Sequence, residues 1–444
     1  MLTSRRVAAL APAVLVLSLA GSPDALAHPP GTTELASLSS QGTAGDNDST
    51  LASVSADGRF VAFWSLASTL VPGDTNGTSD VFVHDRATGT TERASVDSRE
   101  RQATGGDRDG VLDTNFGRPV ISADGRYVFF ASSATNLVKG DRNNAVDIFV
   151  RDRTAGTTER VTMAGRKTEA NAESSNPAIS PDGRFVAFAS FADNLVPGDT
   201  NFTSDVFLLD RSSGALQRVS VSSTEEQATN ASGGPSVSAD GRFVAFGSDA
   251  GNLVPGEVED SAGDVYLRDV QAGTTEGIST VSTGFVRHSG APSISADGNL
   301  VAFHSWDDGL VAGDTNNSYD VFVFDRSAGT FERVSVDSAG AQGDDWSLGA
   351  AITPDGRFVA FHSFAGNLVA GDGNFDFDVF LHDRVTHTTD RLSVRTDGTE
   401  GDLSLASLNP SISADGRVVA FESEANLVAG DTGFPVDVYV HAHP

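Results

Sequence analysis

Short apolar runs separated by polar turns recur down the chain, and one stretch shows the repeating unit in full. Asn176 to Ser180 reads as a short strand, Pro181-Asp182-Gly183 as a tight turn, and Arg184 to Ser190 as a second strand rich in aromatic and β-branched residues. A polar loop from Ala192 to Ser204 follows, and then Asp205 to Arg211 and Leu216 to Val221 read as two more strands joined by Ser212-Ser213-Gly214. The pattern predicts four short antiparallel strands per unit, which is the content of a propeller blade.

The Asp-Gly turn of that unit recurs with its aspartate at Asp57, Asp124, Asp182, Asp240, Asp297, Asp355 and Asp415, at intervals of 67, 58, 58, 57, 58 and 60 residues. A period this long and regular means one supersecondary unit repeated about an axis. Repeats begin near residues 51, 118, 176, 234, 291, 350 and 409. The last unit ends after its third strand, at Asp437 to Pro444, while Thr32 to Leu38 copies the fourth strand of the first blade, Thr90 to Val96. The expected fold is therefore an all-β, seven-bladed β-propeller, a single domain over 28–444. Its ring is closed by residues 32–38 as the fourth strand of the seventh blade, which leaves no open end to cap.

Ser180-Pro181-Asp182-Gly183-Arg184-Phe185-Val186-Ala187-Phe188 followed by Asp205-Val206-Phe207 resembles the WD40-like repeat of TolB-type propellers, and the resemblance runs from about Thr32 to the end. It implies the propeller fold. TolB itself carries an additional N-terminal α/β domain for which this chain has no room, so TolB's envelope partners do not come with the fold.

Residues 1–27 have the form of a cleavable export signal: Arg5 and Arg6, an apolar stretch from Val7 to Ala20, and Ala25-Leu26-Ala27 before His28. A secreted, extracellular product cut near Ala27 is expected, without membrane insertion and as a monomer. Loss of Arg5, Arg6 and Asp24 with the leader takes the formal net charge from −30 to −31. Such a field repels nucleic acid and anionic lipid. The chain has no cysteine, so stability comes from burial and ring closure, not from disulfides.

In a four-stranded blade the strand 1–2 and 3–4 turns share one face of the disc, and the strand 2–3 loops and inter-blade connections share the other. On the first face, Gly58 and its equivalents supply the positive φ of a tight hairpin and the preceding Asp bonds its own turn. Arg86, of the Asp85-Arg86 pair, is within reach of the turn carboxylate of its own blade. The opposite face carries the pattern Gly-Asp-x-Asn-x-x-x-Asp: Asp74, Asn76, Asp80; Asp141, Asn143, Asp147; Asp199, Asn201, Asp205; Asp314, Asn316, Asp320; Asp372, Asn374, Asp378. Oxygen donors so spaced are candidate calcium loops, because calcium takes six to eight oxygens. The alternative is a set of Asx turns before the third strand. Blade 4, with Glu257 and Asp264, and blade 7, with Asp431, Gly433 and Asp437, depart from the pattern. The long first connection, Asp97 to Gly117, carries the acidic stretch Asp107 to Asp113 and is a candidate binding loop.

The position after the second-strand Phe reads Trp64, Ala131, Ala189, Gly247, His304, His362 and Glu422. His304, His362 and Glu422 are the candidate catalytic residues, although equivalent positions on successive blades point the same rotational way and do not converge as ligands must. His84, His382 and His441 occupy a position that reads as exposed surface. No nucleophile elbow, zinc-protease helix or phosphate loop is present. The sequence is read as a non-enzymatic binding scaffold for a protein or glycan ligand on its acidic-loop face, with calcium stiffening the loops. The alternative is an extracellular saccharide-acting hydrolase or lyase.

Overall fold

The computed structural model describes residues 31–104, 117–165, 168–256, 263–279, 288–401, 405–429 and 435–444. The leader, Asp107 to Asp113, Glu257, Asp431 and Gly433 lie outside them. The described residues form seven sheets of four antiparallel strands and one small hairpin, Met163–Ala164 with Thr168–Glu169. The architecture is a seven-bladed β-propeller.

Blade 1 comprises Ser49–Val54, Phe60–Ser65, Asp80–Asp85 and Thr90–Arg93 in spatial order. Blade 7 comprises Ser407–Ile412, Val418–Ser423 and Asp437–Ala442, and its fourth strand is Thr32–Leu35, paired antiparallel to Asp437–Ala442. The closing strand is thus four residues long, and Ala36 and Ser37 continue it by bonding to the Val438 carbonyl. Apolar residues of the second and third strands fill the spaces between blades. A fully buried aromatic pair crosses each of these strand pairs, as in Phe63 with Phe82 at 6.0 Å and Phe421 with Tyr439 at 6.0 Å. Such pairs contribute about 0.5–1.5 kcal/mol beyond their area burial.

The Asp-Gly turns are drawn together about the axis by backbone bonds from blade to blade. Ala56 donates to Ala123, Ala123 to Pro181, Ala239 to Ala296, Ala296 to Pro354, and Ala414 back to Ala56. Proline has no N–H, so Pro181 and Pro354 accept without passing the relay on. At Gly125 the turn needs glycine twice: φ is +72°, and an added Cβ would lie 2.1 Å from the Phe60 ring of the neighbouring blade. Asp57 accepts from Ser55 Oγ and Arg59 N, locking its own turn.

Two sequence expectations change on this face. Arg86 does not meet its own turn carboxylate; it donates to Glu34 of the adjacent blade at 2.5 Å and to the Gly58 carbonyl. The residue that pairs within the blade is Arg59, bidentate to Asp85 at 2.8 and 2.7 Å. Likewise His84, His382 and His441 are buried, because the fourth strand and the adjoining inter-blade segment cover that position. Each ring packs its Nδ1 against a threonine hydroxyl, Thr91, Thr389 or Thr33, at 2.8 to 2.9 Å.

Candidate functional site

The acidic loops enclose arginines. The guanidinium of Arg93, on the fourth strand of blade 1, lies 3.2 Å from Asp74 and 2.8 Å from Asp80. Arg160 does the same between Asp141 and Asp147, Arg218 between Asp199 and Asp205, Arg333 between Asp314 and Asp320, and Arg391 between Asp372 and Asp378, all within 3.5 Å. The asparagine amide of each loop donates to the second carboxylate, as Asn76 does to Asp80 at 2.8 Å and Asn143 to Asp147 at 2.8 Å. Asn201, Asn316 and Asn374 repeat this, and each asparagine oxygen accepts a backbone N–H two residues on. The other oxygen of the second carboxylate takes a hydroxyl from the segment after the fourth strand, Ser220 to Asp205 at 2.6 Å for example. The oxygens that read as a calcium shell are therefore committed to an internal cation and to loop geometry. The acidic cluster of Asp372, Asp378 and Glu400 surrounds Arg391 at 3.2, 3.2 and 2.5 Å.

Burial outweighs the arginine at several of these carboxyls. It pushes Asp141, Asp320 and Asp372 up to about 6, with neighbouring acids adding to the shift. A carboxyl raised in the folded state contributes stability that is complete below its unfolded value near ~3.9 and is lost as pH rises through about 6. On the opposite face Asp85, bonded to Arg59, is held down at about 2, and its contribution is lost as pH falls below ~3.9 toward that value. Between pH 7 and about 4.5 two groups of side chains act oppositely. Protonation of Asp141, Asp320 and Asp372 favours the fold, whereas the buried histidines His304, His362 and His441, lowered by burial to about 4, 3 and 4, lose stability over the same fall. Replacing Asp141, Asp320 and Asp372 together by Asn removes the favourable part. The melting temperature of that variant is therefore expected to fall more steeply between pH 7 and 4.5 than that of the natural chain; equal slopes would contradict these environments.

On the acidic-loop face the starts of the first strands of blades 3 to 5 line a cleft. The first strand of blade 1 is bulged between Thr50 and Ser53, and the first strands of blades 3 to 7 carry the same skip. The bulge residues Leu51, Asn176, Ala291 and Asn409 hold positive φ of 47 to 55°, a conformation non-glycine residues adopt at a cost. The bulge turns a backbone N–H toward Glu422, whose carboxylate accepts from Leu51 N at 2.6 Å and Asn409 Nδ2 at 2.7 Å. Arg118, just before the first strand of blade 2, donates to the carbonyls of Pro410 at 3.0 Å and Ala52 at 3.4 Å. Burial pushes the Glu422 carboxyl up, opposed by its bonds to Leu51 N and Asn409 and by the charge of Arg118.

His362 lies over the bulge of its own blade, where a Cβ on Gly349 would sit 2.5 Å from its ring. Burial takes His304 down to about 4 and His362 down to about 3, and His304 and Arg118 add to the shift of His362. Both Nδ1 atoms are buried without a hydrogen-bond partner. His304, His362, Arg118 and Glu422 thus share one polar wall within electrostatic reach. The cleft, of about 730 Å³, is lined by the small residues Ala189, Gly233 and Gly247, and reaches His304 and Tyr319.

The acidic-loop face also carries exposed aromatics. Phe202 and Phe375 stand 91% and 85% exposed at loop tips, Phe191 57% and Trp346 47%. Among the described residues Val385, at 68%, is the exposed large apolar side chain of the other face. Phe202 and Phe375 hold φ of 56° and 57°, where blade 1 has Gly77. Arg118, the loop arginines and these phenylalanines were not among the sequence candidates.

No family model matches the chain, and no curated protein matches it in sequence. Among solved structures it is similar to an oligogalacturonate lyase from Vibrio parahaemolyticus, at 13% identity over 90% of each chain with a TM-score of 0.53. An oligogalacturonate lyase in complex with manganese matches at 12% identity over 90% of each chain, TM-score 0.52. TolB from Acinetobacter baumannii matches at 15% identity over 82% of this chain and 77% of that one, TM-score 0.41. At these identities the likeness concerns the fold.

Proposed function

We propose that the chain is an exported, non-enzymatic propeller that binds an extracellular glycan or protein segment across its acidic-loop face. The observation that carries this reading is the placement of exposed aromatics. Phe191, Phe202, Trp346 and Phe375 all lie on that face, two of them in strained backbone at loop tips. Exposed apolar side chains gathered on one polar-rimmed face mark interaction surfaces. Aromatic side chains also give large contact area at low entropic cost. The net charge of −30 selects against polyanions and favours neutral or cationic ligands. Calcium has no part in this reading, because arginine occupies the loops. Retention of the purified chain on envelope or polysaccharide extracts, equal in calcium and in chelator, is the expected result; absence of retention on every fraction would contradict it.

A second reading, a saccharide-acting hydrolase or lyase, is favoured by the polar wall. Burial lowers His304 to about 4 and His362 to about 3, their Nδ1 atoms have no hydrogen-bond partner, and Arg118 interacts electrostatically with both His362 and Glu422. Two solved neighbours are oligogalacturonate lyases, one a manganese complex. These residues do not fit a preformed metal centre: among the described residues His304, His362 and Glu422 are not a group whose ligand atoms come within 4.8 Å of one another. Under the binding reading, His304→Ala and His362→Ala leave ligand retention intact. Cleavage of a saccharide by the purified chain, reduced about 10²-fold or more by either variant, would establish the enzyme instead.

A further inference from the structure

We propose a zinc site on the opposite, Asp-Gly face, formed by His382 and His387 of blade 6 with Glu332 of blade 5. One ligand atom from each of these residues lies within 4.8 Å of the other two. Zinc takes nitrogen and carboxylate ligands at about 2.0–2.2 Å, and three protein ligands plus water complete its tetrahedron. His387 is exposed on a turn, so its ring is free to close the remaining distance.

The tautomer of His382 is set for ligation. Thr389 Oγ1 gives its only proton to the Val336 carbonyl at 2.5 Å, so toward His382 Nδ1 at 2.9 Å it accepts. Nδ1 therefore carries the ring proton and Nε2 presents its lone pair. A hydrogen bond to the far ring nitrogen is how metal-binding histidines are oriented. Arg384 holds Glu332 through Oε2 at 2.8 Å and leaves Oε1 for a metal.

His387 sets blade 6 apart. It holds φ +55° at a position occupied by Gly89, Gly156, Gly214, Gly273 and Gly329 in the preceding blades. In blade 2 the counterpart of His382 is Arg151, which pairs with Glu100 beside Gly156. In blade 6 the residue at the place of Glu100 is Gly340, and the second imidazole stands near the first. Where blade 2 has an Arg–Glu pair, blade 6 has two imidazoles beside a carboxylate.

The test is titration of the purified full chain with zinc chloride near pH 7.5, read by calorimetry and by melting temperature. One zinc per chain with an increase in melting temperature is expected. His387→Gly, which restores the residue other hairpins use and should fold at least as well, is expected to weaken that binding at least tenfold. His304→Ala/His362→Ala should leave it unchanged. Absence of stoichiometric binding at micromolar zinc, or equal affinity in His387→Gly, would overturn the proposal.

Discussion

Arg391→Met is expected to destabilise the fold by about 3–5 kcal/mol, the usual cost of removing one partner from a buried charge network. Asp372, Asp378 and Glu400 would face one another without their shared cation. The same loss turns the cage into an acidic cluster with its ligand atoms within 4.8 Å, which hard cations favour. Calcium should therefore leave the melting temperature of the natural chain unchanged, measured against chelator, and restore part of the stability of Arg391→Met. Mass action links such a shift directly to binding by the folded form. A variant within 1 kcal/mol of the natural chain, or a natural chain stabilised by several degrees in calcium, would refute the arginine-cage description.

A chain beginning at Ser39 is expected to lose cooperative unfolding altogether. It lacks Thr32–Leu35, so Asp437–Ala442 becomes an open edge, and Ala36 leaves the core between blades 7 and 1. It also loses the Ser37 hydroxyl bonded to buried Asp437 at 2.5 Å. Without the closing strand the C-terminal blade has three strands and an exposed ladder that invites association. Thermal unfolding by circular dichroism, with light scattering alongside, checks this. A sharp two-state melt near that of the intact chain would show that ring closure contributes little.

The fold was legible because its signals are local and repeated: the Asp-Gly hairpin, the Phe-x-x-Phe strand and the spare strand at Thr32. The site was less so. The acidic loops had a readable clue, since Arg93, Arg160, Arg218, Arg333 and Arg391 occur in the five blades with the full loop pattern. The two departing blades carry Gly277 and Leu35 at that place. The carboxylates and the arginine lie some 13 to 19 residues apart in sequence, and the strand 3–4 hairpin brings them together. His84, His382 and His441 misread as surface because the covering residues come from another blade, as Leu38 does over Thr91 beside His84. Arg118 was missed because its role depends on the bulged strands of blades 1 and 7, which supply the carbonyls it bonds.

The binding face is tested most directly by comparing three forms of the chain on the extract that retains it, in chelator. Phe202→Ala/Phe375→Ala, altering two side chains that make few internal contacts, is expected to keep the melting temperature and to lose at least about 30-fold in affinity, the scale of an aromatic hot spot. Val385→Ala, on the opposite face, is expected to bind as the natural chain does. Equal retention of all three would contradict these exposed aromatics as the site of recognition.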